Sequence, residues 1–384
     1  MCVRVGTQQI VIYITAVIVA LGLFTAGATR PVAALSADGS QPPLYIRADR
    51  LFTGERIISG RVAVAVRDGR VVAAGRLRIP RRARVIRLRD ATILPGIIDL
   101  HVHDSPEALL RTGVMTTRNL GGAERGLRPP TTRRGYPRIV QAGPMITVPG
   151  GYPTRLFPEL AAPVRSTEEA IATVRRLVRK GAAVIKISLE TGLDGSVPTL
   201  TVEEIGAIVA EAHRLRRKVT AHVHEGKGVD LALAGGVDEL AHMPCIRVTR
   251  EQVAALVERE IPIVGTLHAG ELAIRRGLRG CELQAATREF VFRGGTLLYG
   301  TDIPAVPGRL DLTELGLMQR AGMTTTQVLR AATADAGEQL GMRKLGTLAP
   351  GAPADLWAFR GDPTRSLGAL RRPVFSMARG RRLR

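Results

Sequence analysis

Hydrophobic and polar positions follow two different rhythms along this chain. Between residues 44 and 94 the apolar residues come in short runs: Leu44-Tyr-Ile46, Arg61-Val-Ala-Val-Ala-Val66, Val71-Val-Ala-Ala74 and Arg84-Val-Ile-Arg-Leu88. Turn signals such as Asp68-Gly69 separate them, a pattern that predicts strands and hairpins. From Ile97 onward, strand-like runs alternate with segments of helical period. Ile171, Val174, Leu177 and Val178 share one helix face, and Ser166-x-x-Glu169, Thr201-x-x-Glu204 and Thr249-x-x-Gln252 are capping-box patterns that mark helix starts. Eight strands are expected, at residues 97–103, 114–119, 138–142, 184–188, 219–223, 237–242, 261–266 and 297–302. Eight strand–helix units predict an α/β fold of the (β/α)8 TIM-barrel type, whose chemistry gathers at the C-terminal strand ends. After residue 346 the pattern turns β again, with Ala354-Asp-Leu-Trp-Ala-Phe359 and Val374-Phe-Ser-Met377. These runs are expected to pair with the N-terminal strands. The organisation predicted is a barrel over 95–344 and a composite β-sandwich built from 41–94 plus 345–384.

Residues 1–40 read differently. Arg4 precedes an uncharged stretch from residue 10 to 28, and small residues follow at Val32-Ala-Ala34. A positive start, an apolar middle and a small-x-small exit describe a secretory signal. The stretch is long for that purpose, so an uncleaved membrane anchor is the alternative. Either way the protein is expected to be exported, secreted or held at a membrane by this segment. Cys2 has no lipobox before it, which argues against lipoprotein anchoring.

At 384 residues with 45% hydrophobic content, the chain can bury one large core and a smaller one. Aromatic residues make up only 3%, too few for base-stacking platforms, so no nucleic-acid partner is expected. The formal charge of +21 comes mostly from arginines spread along the chain rather than massed. It reads chiefly as coding bias, with attraction to anionic lipid or to an acidic substrate as the lesser reading. Cys2, Cys245 and Cys281 are too few and too scattered to form a disulfide framework or a cysteine-type zinc site.

The candidate chemistry lies at the ends of the apolar runs. His101-Val-His103 closes Thr92-Ile-Leu-Pro-Gly-Ile-Ile-Asp-Leu100, and side chains two apart on a strand point the same way, close enough to share one metal ion. Two such histidines alone are more often solvated or hydrogen-bonded. Further along, Lys186, His222, His242 and Asp302 each close a strand-like run, and each can contribute to binding a divalent metal. His224 shares the face of His222 and competes for its role. His213 reads as a surface helix histidine, and His268 follows the seventh strand without a clear ligand role.

The chain resembles the amidohydrolase superfamily, in its imidazolonepropionase-like and Xaa-Pro-dipeptidase-like branch. The motifs that carry the resemblance are Leu94-Pro-Gly-Ile-Ile-Asp-Leu-His-Val-His103, Gly113-Val-Met-Thr-Thr-Arg-Asn-Leu-Gly121, Val184-Ile-Lys186, Thr220-Ala-His222, Leu240-Ala-His242, Gly300-Thr-Asp302 and Gly346-Thr-Leu-Ala-Pro-Gly-x-x-Ala-Asp355. The resemblance implies two divalent ions, of the zinc type, in a hydrolase of carbon–nitrogen amide bonds acting on a short peptide or a cyclic amide. His101 and His103 would hold the first ion and His222 and His242 the second. Lys186 would carry a carbamate bridging both, since a bare ammonium beside divalent cations is repelled. Asp302 would bind the first ion and act as general base and then acid, while a hydroxide held by the metals attacks the carbonyl. Tyr152 and His224 are expected on the substrate side. A homo-oligomer is compatible with the resemblance.

Two departures from the family pattern bear on substrate contacts. Relatives often carry Gly-Gly-His after the third strand, whereas this chain has Gly150-Gly-Tyr-Pro153, which keeps a hydrogen-bond donor and loses a titratable ring. The stretch between His103 and Gly113 is also short, leaving little room for the insertion that shapes the pocket in many relatives. Asn119, where an aspartate is common, reads as a structural change. The alternatives to amide hydrolysis are a mononuclear deaminase of a cyclic amidine or nucleobase, and a catalytically silent membrane-surface binding protein. No metal ligand is missing, which disfavours the second.

Overall fold

The computed structural model describes residues 42–383, so the leader segment and Cys2 lie outside the described residues. Among the described residues no helix is long and apolar enough to cross a membrane.

The two chain ends share one eight-stranded sheet. Strand Leu44–Phe52 runs antiparallel to Ile57–Arg67, which turns at Asp68-Gly69 into Arg70–Gly75. On its other side Leu44–Phe52 pairs in parallel with Arg84–Arg87 and with Ala91–Pro95. C-terminal strand Leu356–Arg360 pairs antiparallel with Ala91–Pro95, and Pro373–Ala378 follows it. Ile46, Val62, Val64, Ile93, Leu356 and Phe375 form the buried core of this unit. Residues 62–66 are buried in succession, as a run of alternating Val and Ala requires when both faces of a strand are covered.

Two further sheets are parallel except for the short strand Thr131–Thr132, which pairs antiparallel with Arg138–Gln141 in the first of them. Ile97–Val102, Val114–Asn119 and Arg138–Gln141 make one. Met145–Thr147, Ile185–Ser188, Val219–His222, Glu239–Ala241, Ile263–Val264 and Leu297–Leu298 follow one another in the second. Backbone bonds link the last strand region back to the first: Leu100 N donates to Tyr299 O at 3.1 Å and His103 N to Ile303 O at 2.7 Å. Elsewhere Ala183 N, just before Ile185–Ser188, donates to Gln141 O at 2.9 Å. Each of the eight expected strands is present, in several cases shortened. Glu239–Ala241 and Leu297–Leu298 stop short of His242 and Asp302, which take positive φ, 82° and 61°, yet stay bonded to the neighbouring strands, His242 N donating to Val264 O at 2.9 Å and Asp302 N to His101 O at 2.7 Å.

The helices follow their capping signals. Thr201 and Thr249 form full capping boxes with Glu204 and Gln252. At Ser166 only half of the box forms, since the Glu169 carboxylate accepts from Arg165 N instead. Thr324 with Gln327 is a further box. Leu177, Ile205, Ile208, Leu256 and Phe290 point from helices into the large core around the parallel strands.

Candidate metal centre and pocket

The strand order sets two groups of side chains facing each other. His101 and His103 leave the first parallel strand on one face, and Asp302 reaches them from beyond the last. His101 Nε2 lies 3.4 Å from His103 Nε2, and Asp302 Oδ1 lies 3.4 Å from the first and 3.1 Å from the second. Glycine is required beside both rings. A Cβ on Gly300 would fall 2.9 Å from His101 Cβ, and one on Gly121 would fall 2.5 Å from His103 Nδ1. The second group is His222, His224 and His242, whose nearest ligand atoms lie within 4.8 Å of one another. His222 Nδ1 and His242 Nε2 are 3.0 Å apart. The groups adjoin, with the His101 and His242 rings 4.5 Å between centroids.

Lys186 lies inside strand Ile185–Ser188 rather than at its end, in register with Thr220, two residues before His222 pairs with Ser188. The sequence expectation of a strand-end lysine is corrected by that register. Its side chain is fully buried and its Nζ has no hydrogen-bond partner among the described residues. Nor does Glu190 pair with it: Glu190 Oε2 sits 3.0 Å from His224 Nδ1 and 3.4 Å from His222 Nε2. Burial, with the Arg118 charge nearby, brings Lys186 down from 10.5 to about 7. Burial also lowers His222 to about 4, against the opposing hydrogen bond it makes to the Glu190 carboxylate. His101 and His242 are held well below the ordinary histidine range, again chiefly by burial. All three rings are therefore neutral at pH 7, the form that ligates metal. Burial works against ionising Glu190, but its hydrogen bonds with His222 and His224 win and hold it far below the usual carboxylate range.

Both groups open on one cavity of about 230 Å³. Tyr152 stacks on His222 with centroids 4.6 Å apart, and His224 lies beside it, so both residues expected on the substrate side do line the cavity. Burial first, then Asp302 and Glu190, push the Tyr152 phenol up to about 12, so it keeps its proton. Met145, Met243, Leu272 and Leu278 supply apolar wall. His213 lies elsewhere, half exposed and 2.8 Å from Asp238. His268 is 2.6 Å from Asp311 and is not among the residues lining the cavity.

Several contributors escaped the sequence reading. Thr266 Oγ1 lies 2.9 Å from His242 Nδ1, a contact that only the fold reveals. Arg118 and Glu239 form a buried ion pair beneath Lys186, extended by Thr220 and Gln339. Only Arg118 and Glu239 carried a signal in sequence, as charged residues within strand segments. Cys245 and Cys281 are bonded in a single disulfide, a pairing the sequence did not indicate, although three cysteines make no framework. They are 36 residues apart and meet only because the chain returns to the cavity.

The sequence model of the amidohydrolase family matches residues 92–383. The chain belongs to the amidohydrolase family. Among its relatives, ochratoxinase of Aspergillus niger is 30% identical over 228 residues, covering 54% of this chain and 46% of that protein. The chain thus spans about half the length of that curated relative. An uncharacterized protein of Mycobacterium tuberculosis is 28% identical over 327 residues, 75% of this chain and 84% of the relative. A Xaa-Pro dipeptidase solved with methionine in its active site superposes with a TM-score of 0.73 at 23% identity, covering 88% of this chain and 99% of that one. The A. niger ochratoxinase structure gives 0.73 at 21% identity, with 89% and 96% covered. At these identities the superpositions establish a shared amidohydrolase fold.

Proposed function

We propose that this amidohydrolase is a divalent-metal-dependent hydrolase of carbon–nitrogen amide bonds in a short peptide or a cyclic amide. The observation that carries the reading is the convergence of two ligand sets on one cavity that also holds a buried, partnerless Lys186 Nζ. The donor set fits metal: neutral imidazoles and a carboxylate suit zinc. His101, His103 and Asp302 would hold one ion and His222 and His242 a second, with Lys186 carboxylated by carbon dioxide to give both an anionic oxygen ligand. A lysine brought to about 7 has a reactive free amine at neutral pH, which supports that modification. The ions supply Lewis acidity and a lowered water pKa when bound.

The chain's own groups do the rest. Asp302 takes a proton and returns it to the departing nitrogen. The Tyr152 hydroxyl, which stays protonated, donates a hydrogen bond to the substrate, and His224, oriented by Glu190, faces the same space. Thr266 and Glu190 fix the outer nitrogens of His242 and His222, leaving the facing ones free to ligate.

The finer architecture belongs to the same reading: the two parallel sheets close into one (β/α)8 barrel, and the eight-stranded sheet folds into a β-sandwich of both chain ends. The bonds Leu100–Tyr299, His103–Ile303 and Ala183–Gln141 support closure. Export is supported by the Cys245–Cys281 disulfide, since such bonds persist in oxidising compartments. Names borne by relatives, ochratoxinase and Xaa-Pro dipeptidase, point toward amide-type substrates.

The test is a panel of N-acyl amino acids, dipeptides and cyclic amides offered to zinc-reconstituted protein. Release of amine or ring-opened acid without ammonia supports the proposal. Ammonia in step with turnover would move the protein to the deaminases, and no turnover across the panel would overturn the reading.

A further inference from the structure

The Cys245–Cys281 disulfide is built into the cavity, whose lining includes both cysteines. On one side it is anchored to the metal-ligand strands. Cys245 follows His242 by three residues, and the backbone N–H groups of Cys245 and Ile246 both donate to His224 O, at 2.9 and 3.0 Å. On the other side Cys281 ends the connection between helix Leu267–Arg275 and helix Leu283–Phe292. That connection supplies Arg276 and Leu278 to the cavity wall.

Long-range backbone bonds to this wall are few. The backbone donors of Arg276, Gly277 and Leu278 bond only to residues 272–274 of the preceding helix. Gly277 and Gly280 take positive φ, 106° and 73°, and no neighbouring atom lies within 4 Å of where their Cβ would be. Leu278 packs against the large core, and the long-range backbone ties of this connection among the described residues enter beside the disulfide, through the Ile246–Cys281 bridge and the bond from Glu282 N to Cys245 O at 2.9 Å. The ligands behave differently, since His222 and the strands beneath it are held by their own ladder.

We propose that the Cys245–Cys281 bond is a positioning element for substrate recognition, holding Arg276 and Leu278 against the strand ends that carry the histidines. Substrate binding then depends on the oxidation state of the pair, and metal binding does not. The inference rests on the amide-hydrolase reading of this cavity. Closing the bond converts two thiols to one disulfide, and the two electrons and two protons pass to a disulfide-class oxidant such as oxidised glutathione, which leaves as two thiols. Export into an oxidising compartment would complete the pocket.

The experiment compares oxidised zinc protein, the same folded protein reduced with a phosphine, Cys281→Ser, and Leu278→Ala with the disulfide intact. KM, kcat, zinc per chain and amide hydrogen exchange are read for each, with thiol alkylation confirming the redox state. A purely stabilising crosslink would lower the unfolding midpoint when broken without touching KM. The proposal expects KM to rise about tenfold on reduction and in both variants, corresponding to ~1.4 kcal/mol of lost binding. It expects kcat within about twofold and zinc unchanged, with faster exchange over residues 276–282 and none over 219–222. An unchanged KM in reduced protein, or zinc lost on reduction, overturns it. If the oxidised protein cleaves no amide at all, the functional reading fails separately. Unchanged exchange over 276–282 would then overturn the positioning role by itself.

Discussion

His222 Nδ1 and His242 Nε2 face each other across 3.0 Å, while the outer nitrogens of the same rings turn to Glu190 and Thr266. At that distance the two rings share an N–H···N hydrogen bond, and the same two nitrogens are the ones that could turn to a metal ion. The outer contacts fix which nitrogen is left for that purpose. Thr266→Val keeps the branched shape and removes the hydroxyl, so His242 loses its orienting partner. Zinc affinity should fall about 10–100-fold, the range for lost partners of metal-bound histidines, measured by competition with a chromogenic chelator.

Asp302→Asn and Lys186→Ala should fail in different ways. The first keeps side-chain volume and one oxygen but cannot carry a proton, so turnover should drop about 10²–10⁴-fold with metal largely kept. The second removes the shared ligand, so metal content should fall with activity. Propionate, placing a carboxylate in the space that Lys186 leaves, should restore part of both. Elemental analysis and rates on the same samples separate the two patterns, and full metal and rate in Lys186→Ala would contradict the carbamate.

Arg118 and Glu239 are both buried, and Thr220 and Gln339 also bond to the Glu239 carboxylate. Arg118→Met leaves that carboxylate uncompensated in the interior. It should cost roughly 3–5 kcal/mol in urea unfolding, as breaking a buried pair from one side does. Arg118→Met with Glu239→Leu should recover much of the loss, because no buried charge then remains.

Glu314 is fully buried with one carboxylate oxygen unpartnered, and burial raises it from 4.5 to about 8. The folded state therefore keeps a proton that the unfolded chain releases near its ordinary value. The associated stability is complete below about pH 4.5 and is lost as pH rises through 8. Asp99, raised by burial from 3.8 to about 7, adds a slope of the same sign. In Glu314→Gln the fall in urea midpoint between pH 5.5 and 8.5 should be shallower than in the parent, with the Asp99 share remaining.

The strand rhythm was legible because each parallel strand is a short apolar run bounded by helix caps. The histidine pairs stood out for the same reason, as polar residues closing apolar runs. Strand ends were less legible. His242 and Asp302 take positive φ beyond the ends of their strands, which composition does not announce. Lys186 reads as a run-closing residue in sequence but lies within its strand, since Ile187 and Ser188 stay paired beyond it. Glu190 and Thr266 reach the histidines from loops, and Cys245 meets Cys281 across two strand–helix units; no local spacing encodes such meetings. Asp68-Gly69 shows the opposite case, where two residues were enough to place a hairpin turn.

The central claim is that two ligand sets around Lys186 hold metal for hydrolysis. Metal per chain after reconstitution with zinc and bicarbonate tests it most directly. Close to two zinc ions are expected in the parent protein and fewer in Lys186→Ala. Finding no bound zinc in folded protein would contradict it.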